Sequence, residues 1–121
     1  MESKPLILII DDEPNVGGAL VDYLELKGFK AMSVLNGRQG LEIILHERPR
    51  VVVLDVMMPD MNGLEVLKKI KSEFPETIVL MLTGVYDEKT AREAIKNGAY
   101  DYLTKPIDFN DFIALIQRIL V

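Results

Sequence analysis

Residues 6–12 read LILIIDD, five apolar residues followed directly by two carboxylates. A short apolar run without alternation is typical of a strand that is buried on both faces, as in a parallel sheet. Three further runs have the same form, and each leads into a polar residue. They are Val51–Leu54 before Asp55, Ile78–Leu82 before Thr83, and Tyr100–Leu103, which continues through Thr104 to Lys105. If these strands are parallel, all four polar ends lie along one edge of the sheet.

Helical patterns lie between these runs, and Lys30–Val34 adds a weaker fifth strand. Apolar spacing, glycine stops and the proline at position 14 predict five helices. Their expected bounds are Pro14 to a stop at Gly28, Gly37–His46, Gly63–Glu73, Glu88–Asn97 and Asp108–Leu120. The chain therefore repeats a strand–helix unit five times.

The same helical spacing predicts which side chains face the core. Leu45 and Ile95 are expected to face inward from the second and fourth helices. The Gly17-Gly18 pair costs the first helix about 1 kcal/mol per glycine relative to alanine. We interpret this pair as a place of close backbone packing.

Five consecutive strand–helix units predict an α/β fold, a doubly wound, five-stranded parallel sheet with helices on both faces. For such a flavodoxin-like sheet the common strand order is 2-1-3-4-5, and ligands bind outside the carboxyl ends of strands 1 and 3. Asp11 and Asp12 end strand 1, and Asp55 ends strand 3. Thr83 and Lys105 end strands 4 and 5 on the same side. No composition break or linker divides the chain, so we expect one domain over residues 1–121.

The bulk composition argues against several classes of function. The 121 residues contain no cysteine, which rules out a disulfide framework and a thiolate metal site. The formal net charge is −5 and there is no basic run, which argues against direct nucleic-acid binding by this domain. The apolar stretches fall far short of the roughly 20 residues that a membrane span needs, and the N-terminus does not resemble a signal peptide. We therefore expect a cytoplasmic protein without membrane association.

Three carboxylates at adjoining strand ends have a definite chemistry. Asp11, Asp12 and Asp55 cannot all be ionised within a few ångströms of one another without compensation, because like charges raise at least one pKa. A hard divalent cation relieves the repulsion, and carboxylate oxygens suit Mg²⁺. Since Mg²⁺ prefers one or two carboxylates together with waters and phosphate oxygens, the site would be complete only when a phosphoryl group arrives. A carboxylate beside Mg²⁺ can also attack phosphorus and form an aspartyl phosphate.

The other strand-end residues fit the same chemistry. Lys105 could neutralise phosphate oxygens, and the Thr83 hydroxyl could hydrogen-bond to one of them. Each residue alone also has a purely structural explanation. Residues 11–14 read well as a helix cap, a threonine after a strand is usually a turn residue, and a lone lysine is usually a solvated charge. The coincidence of all these features at parallel strand ends favours a functional site.

Four motifs in order resemble the receiver domain of two-component response regulators, over essentially the whole chain. They are DDEP at residues 11–14, LDVMMPDMNG at 54–63, LTG at 82–84 and GAYDYLTKP at 98–106. Any one of these motifs is weak, whereas four in order at the expected strand ends are specific. The resemblance implies a signalling module that accepts a phosphoryl group with the help of Mg²⁺ and changes conformation.

The resemblance also implies which residues carry out the phosphorylation. Asp55 would be the phosphoacceptor. Asp12, Asp55 and the backbone carbonyl of Met57 would ligate Mg²⁺, with Asp11 contributing directly or through water. Lys105 would pair with the phosphoryl group.

Two further residues would form the switch. The resemblance implies that Thr83 is the switch hydroxyl and Tyr102 the switch aromatic, and that the Lys105-Pro106 bond is cis. Thr83 would be drawn towards the phosphoryl group, and Tyr102 could rotate into the space that this leaves. The surface that reports the change would be helix 4, strand 5 and helix 5.

The partners follow from the same resemblance. The phosphodonor would be a sensor histidine kinase or a phosphotransfer protein. The recipient of the signal would be an output domain or a downstream protein, with transcriptional regulation as the expected result. Ala114 and Leu115 are candidates for the outward face of helix 5 and could support a homodimer on phosphorylation.

Two other functions use related chemistry. The first is a phosphatase or phosphotransferase of the haloacid-dehalogenase kind, which forms an aspartyl-phosphate intermediate. Such an enzyme needs a second acid two residues after the nucleophile, where this chain has Met57. It also needs a cap over the substrate, for which this chain lacks room. A flavin carrier needs a phosphate loop rich in glycine and hydroxyl groups after strand 1, where this chain has DDEP. We therefore do not expect an enzyme with a separate substrate, since the chain would assist only its own phosphorylation and dephosphorylation.

Overall fold

The computed structural model of the chain describes residues 4–121, in which five strands alternate with five helices. The strands are β1 (Leu6–Ile10), β2 (Lys30–Val34), β3 (Val51–Asp55), β4 (Ile78–Thr83) and β5 (Asp101–Thr104). The helices are α1 (Pro14–Leu26), α2 (Gly37–Glu47), α3 (Gly63–Glu73), α4 (Glu88–Lys96) and α5 (Phe109–Leu120). These bounds agree with the expected ones to within about two residues. In this described part of the chain, no helix combines the length and apolar character needed to cross a membrane.

The five strands form one parallel sheet in the order β2-β1-β3-β4-β5, which confirms the predicted fold class and strand order. The register aligns Ile10 with Leu54 and Thr83 with Thr104, so the carboxyl ends of the strands are nearly level. The ladder continues past β5, because the Lys105 N–H donates to the Thr83 carbonyl oxygen at 2.7 Å. Side chains that follow these strands therefore emerge together at one edge.

The sheet is buried on both faces, and for this reason its strands lack an alternation of polar and apolar residues. On one face, Leu8 packs in a cluster with Leu67 of α3. On the other face, the adjacent Ile7 packs with Leu20 of α1 and Phe112 of α5. Successive residues of β1 thus belong to two cores, and the helices are divided between the two faces.

The Gly17-Gly18 pair is explained at its first residue only. A Cβ built at Gly17 would lie 3.0 Å from the Cβ of Ser33, so α1 approaches β2 closely at this point. A Cβ built at Gly18 would have no such neighbour within 4 Å. The interpretation as close packing is correct for Gly17, and nothing in the structure explains Gly18.

Three expectations about helix faces were wrong. Leu45 and Ile95 are 52% and 50% exposed rather than inward. Each follows directly after a buried residue of its helix, Ile44 or Ala94, and one residue turns a helix by about 100°. Leu115 is buried rather than outward, because α5 buries a wide stripe. That stripe comprises Phe112, Ile113, Leu115 and Ile116.

Candidate functional site

Three carboxylates meet at the carboxyl edge of the sheet. Asp11, Asp12 and Asp55 each offer an oxygen, and these oxygens all lie within 4.8 Å of one another. Asp11 follows β1, Asp55 is the last residue of β3, and both are buried. The structure therefore brings together the acids that the sequence predicted at neighbouring strand ends.

The Lys105 ammonium reaches the acids from the end of β5. Its Nζ lies 2.9 Å from Asp11 Oδ2, 2.6 Å from Glu13 Oε1 and 3.7 Å from Asp55 Oδ2. The Lys105-Pro106 peptide bond is cis, as the resemblance implied. One ammonium thus faces several carboxylates and compensates their charge only in part.

This imbalance is visible in the protonation of Asp55. Burial raises the pKa of Asp55 to about 7, and the charge of Asp11 acts in the same direction. The Lys105 charge and the Met57 N–H, which donates to Asp55 Oδ1 at 3.4 Å, oppose this rise. Burial alone would lower the pKa of Lys105, but its contacts with Glu13 and Asp11 raise that pKa above its ordinary value. Lys105 therefore stays charged, and Asp55 ionises less readily than a free aspartate.

The arrangement could bind a metal ion. Its side-chain donors are carboxylate oxygens, which hard divalent cations prefer. Among the described residues, Asp11 Oδ2 is the one buried side-chain oxygen or nitrogen that forms no hydrogen bond. Lys105 Nζ lies near it, but in an ionic contact rather than in hydrogen-bond geometry. A cation would supply the missing partner, whereas a role for the Met57 carbonyl stays a prediction.

The Thr83 hydroxyl is buried at the end of β4 and is engaged with the loop that follows. Its Oγ1 donates to the Val85 carbonyl oxygen at 3.1 Å and accepts from the Val85 N–H at 3.3 Å. These bonds hold the start of the loop between β4 and α4 against the site. A change at the hydroxyl would therefore act directly on this loop.

Tyr102 of β5 lies beside Thr83. Burial raises the pKa of the Tyr102 phenol, and the neighbouring Thr83 hydroxyl opposes that rise. The Tyr102 ring packs edge to face against Tyr86, with centroids 5.9 Å apart and an angle of 79° between the rings. Thr83, Tyr86 and Tyr102 thus connect the strand ends to the loop before α4, although a switching role for Tyr102 stays a prediction.

The site opens to solvent through a cavity of about 250 Å³. Its walls are Asp12, Glu13, Asp55, Met57, Thr83, Gly84, Val85 and Lys105. Pockets for small-molecule ligands usually measure about 300–1,000 Å³, so this one suits a small group such as a phosphoryl. The apolar wall residues Met57 and Val85 are each 71% exposed.

Glu13 belongs to the site, although its sequence context indicated a helix cap. Its side chain forms no capping hydrogen bond to α1 and contacts Lys105 instead. Its N–H donates to Asp11 Oδ1 at 2.8 Å, which turns the chain back towards the acids. The signal in the sequence was a third acid directly after the strand-ending pair.

Gly63 is the second residue whose importance the sequence did not reveal. A Cβ at this position would lie 2.3 Å from the Asp55 carbonyl oxygen and 2.7 Å from the Val56 Cα. The Gly63 N–H also donates to the Val56 carbonyl oxygen at 2.7 Å. Because the neighbouring atoms are backbone atoms, a side chain cannot be accommodated without moving β3. In the sequence, Gly63 ends the LDVMMPDMNG motif, begins the third predicted helix and forms a common turn signal with Asn62, but none of these features indicates its contact with β3.

Comparison with known proteins identifies the family. Residues 7–117 match the family model of the response regulator receiver domain. The chain therefore belongs to the response regulator receiver domain family, which confirms the resemblance carried by the four motifs.

Individual relatives agree with this assignment. The chain is 39% identical over 114 residues to Regulatory protein AtoC of Escherichia coli (strain K12). It is 37% identical over 116 residues to the nitrogen assimilation regulatory protein NtrX of Azorhizobium caulinodans. Each alignment covers 94% of this chain, but only 25% and 26% of the two relatives. The chain thus spans about a quarter of the length of these relatives.

Solved structures show the same fold. A CheY-like receiver domain protein from Methanospirillum hungatei JF-1 superposes with a TM-score of 0.92 at 28% identity, covering 96% of this chain and 93% of that one. The BeF3-activated receiver domain of DrrB from Thermotoga maritima superposes with a TM-score of 0.89 at 33% identity, covering 98% of both chains.

Replacement of Asp55 by asparagine is expected to stabilise the metal-free protein more strongly at high pH. The pKa of this carboxyl is 3.8 without the fold and about 7 within it. The stability that the protonated group contributes is therefore fully present below about pH 4 and is lost as the pH rises through about 7. Urea unfolding in the presence of a chelator should show that Asp55→Asn has a higher free energy of unfolding than the wild type. This gain should be larger at about pH 8 than at about pH 5, by on the order of 2 kcal/mol.

The control for this measurement is Asp22→Asn, which removes an exposed carboxylate of α1. It should change stability little, and equally at both pH values. A gain for Asp55→Asn that does not depend on pH would contradict the raised pKa.

Replacement of Gly63 by alanine is expected to destabilise the protein by about 2 kcal/mol or more, because the new methyl group meets the backbone of β3. Gly18→Ala is the matched control, since its methyl group would have open space and alanine favours a helix by about 1 kcal/mol. In chemical denaturation, the midpoint should therefore fall for Gly63→Ala and rise for Gly18→Ala. Equal stability of Gly63→Ala and the wild type would show that the close contact does not constrain this turn.

Proposed function

We propose that the chain receives a phosphoryl group on Asp55 and transmits this event by a change of conformation. The observation that carries the proposal is the position of the Asp55 carboxylate, in a small open cavity beside two further carboxylates and the Lys105 ammonium. A nucleophilic carboxylate, a set of cation ligands and a fixed positive charge are what phosphoryl transfer to a protein side chain needs. Membership of the receiver family supports the same function.

In the proposed reaction, a carboxylate oxygen of Asp55 attacks the phosphorus atom of a phosphohistidine. The bond between phosphorus and the imidazole nitrogen breaks, and the imidazole leaves with the electron pair. Lys105 Nζ lies 3.7 Å from Asp55 Oδ2, where it would pair with an oxygen of the transferred group. The Thr83 hydroxyl would exchange its bond to Val85 for a bond to another phosphoryl oxygen.

The cation that we propose for the site is Mg²⁺. Asp11, Asp12 and Asp55 would hold it together with the Met57 carbonyl, and the purely oxygen-based set of side chains supports this choice. Bound there, Mg²⁺ would neutralise the carboxylates and the oxygens of the transferring phosphoryl group. Since the carboxylates repel one another without it, metal binding and phosphorylation should be coupled.

The proposed phosphodonor is a sensor histidine kinase or a phosphotransfer protein. An apolar cavity of about 490 Å³ adjoins the site on the side of α1. Its apolar walls include Val16 and Leu20 of α1 and Ile107 after β5, and it shares Glu13 and Lys105 with the smaller cavity. A donor surface that filled this cavity would bring its phosphohistidine to the opening above Asp55.

The proposed output is transcriptional control, exerted through another domain or a downstream protein. The supporting relatives include the DNA-binding transcriptional regulator NtrC of Escherichia coli. The chain is 33% identical to it over 115 residues, and the alignment covers 24% of that protein.

The surface formed by α4, β5 and α5 would carry the signal, because Tyr102 and Tyr86 link the site to it. A homodimer on phosphorylation could use the same surface, where Ala114 is exposed. A cytoplasmic location is part of this proposal.

An enzyme that turns over a separate substrate is the weaker alternative. The cavity above Asp55 is small, and the position two residues after Asp55 holds Met57 rather than a second acid. We infer that the chain catalyses only the gain and loss of its own phosphoryl group.

Acetyl phosphate or phosphoramidate with Mg²⁺ is expected to add one phosphoryl group that is stable to acid and labile to hydroxylamine. Intact-mass analysis should find it in the wild type and in the control Asp22→Asn, which keeps the site intact. Asp55→Asn should remain unmodified, and Asp12→Ala should be modified more slowly because a cation ligand is lost. The same modification in Asp55→Asn would refute the assignment of the phosphoacceptor.

Beryllofluoride, which mimics a phosphoryl group on a carboxylate, is expected to shift the NMR signals of Tyr102, Tyr86 and α4. Thr83→Ala should still bind beryllofluoride but lose most of the shifts in α4, because the hydroxyl that links the site to the loop is gone. Thr104→Ala is the control, since this exposed residue pairs with Thr83 in the sheet register. If α4 responds equally in both variants, the Thr83 hydroxyl is not the link.

A further inference from the structure

Asp60 connects two elements that are remote in the sequence. It lies in the loop between β3 and α3, residues 56–62, which we call the phosphoacceptor loop because it follows Asp55 directly. Its Oδ1 accepts a hydrogen bond from the Gly37 N–H and its Oδ2 accepts one from the Arg38 N–H, each at 3.2 Å. The carboxylate thus binds the first turn of α2 with both oxygens.

These two bonds complete the N-terminus of α2. The Asn36 side chain accepts from the Gln39 N–H at 2.9 Å, and the Asn36 carbonyl oxygen accepts from the Gly40 N–H at 3.1 Å. The first two amides of a helix have no partner within the helix itself. In α2 they are satisfied by a residue that lies 22 and 23 positions further along the chain.

Side-chain packing reinforces this contact. A Cβ built at Gly37 would lie 3.0 Å from Val66 Cγ2 and 3.3 Å from Met61 Cβ. The residue after Asp60 therefore rests directly on the helix terminus that Asp60 binds. The negative carboxylate also lies at the positive end of the helix dipole, and the two amide donors hold the pKa of Asp60 below its usual value although desolvation alone would raise it.

The phosphoacceptor loop has few other hydrogen bonds to the rest of the fold, although its Met58 and Met61 side chains are partly buried and pack against the core. Its two ends are fixed by the Met57 N–H, which donates to Asp55 Oδ1, and by the close contact of Gly63 with β3. Within the part of the chain that the structure describes, the two bonds of Asp60 are the only other hydrogen bonds that join residues 57–61 to the rest of the fold. Asp60 thus supplies the hydrogen bonds that hold the middle of the loop.

We propose that Asp60 is a positioning residue, which holds the phosphoacceptor loop on the N-terminus of α2 in the conformation that the cation and the phosphoryl group require. This inference rests on the proposed function. The loop carries the Met57 carbonyl, and a loop that is already ordered loses less conformational entropy when a ligand binds. Removal of the Asp60 carboxylate would therefore weaken cation binding without removing a ligand from the site.

The test compares Asp60→Ala with Asn36→Ala. Both variants remove a capping interaction from the same end of α2, but only Asp60→Ala frees the phosphoacceptor loop. Titration of the unphosphorylated proteins with Mg²⁺ should show an affinity about tenfold weaker for Asp60→Ala than for the wild type. This is the lower end of the roughly 10- to 100-fold loss that follows removal of a group that orients a metal ligand. Asn36→Ala should bind Mg²⁺ as the wild type does, and Asp60→Asn, which keeps one acceptor oxygen, should recover part of the loss.

A second measurement needs no metal. Amide exchange followed by NMR in a chelator should be faster at Met57, Gly37 and Arg38 in Asp60→Ala, and unchanged at Met57 in Asn36→Ala. If the wild type fails to bind Mg²⁺ or to accept a phosphoryl group, the proposed function is refuted, while the exchange data still decide whether Asp60 positions the loop. Equal Mg²⁺ affinity and equal Met57 exchange in the two alanine variants would overturn the inference.

Discussion

The repulsion between Asp11, Asp12 and Asp55 is the constraint on which the rest of the site depends. Their oxygens lie within 4.8 Å of one another, and the Lys105 ammonium compensates them only in part. The folded chain sustains this repulsion because apolar burial on both faces of the sheet fixes the strand ends in place. A proton, a cation or a bound phosphoryl group with its cation can each relieve the strain. The site therefore gains affinity for such partners at a cost to the stability of the free protein, a common compromise at functional sites.

The architecture and the meeting of these residues could be predicted from the sequence because both depend on where apolar runs end. Once the strands are parallel, the residues after Ile10, Leu54 and Leu82 must emerge at one edge, whatever the details of packing. Helix faces were less certain, since periodicity gives the centre of a buried stripe more reliably than its margin. Leu45 and Leu115 lie at such margins, and their burial depends on how closely each helix approaches the sheet.

Contacts between side chains and distant backbone could not be predicted in the same way. The bonds from Asp60 to Gly37 and Arg38 join positions more than twenty residues apart, and they exist only because α2 and the phosphoacceptor loop lie side by side in the folded chain. Glu13 similarly reaches Lys105 across 92 positions. Local patterns carry no information about such pairs, because the geometry that creates them is set by packing elsewhere in the fold. The residues that the sequence missed are therefore those defined by contacts elsewhere in the chain, whereas the strand-end residues could be placed from local patterns.

The two loops that border Asp55 are held differently, and this difference bears on the conformational change that we propose. The phosphoacceptor loop is fixed by the close approach of Gly63 to β3 and by the bonds from Asp60 to α2. The loop after β4 is held through the Thr83 hydroxyl, and α4 beyond it has Ala94 as the only fully buried residue among those described in that helix. Elements with few buried contacts open at the lowest free energy. Under the proposed function, a new charge on Asp55 would therefore displace the Thr83 side of the site and leave the Asp60 side in place, which would direct the change towards α4 and β5 rather than towards α2.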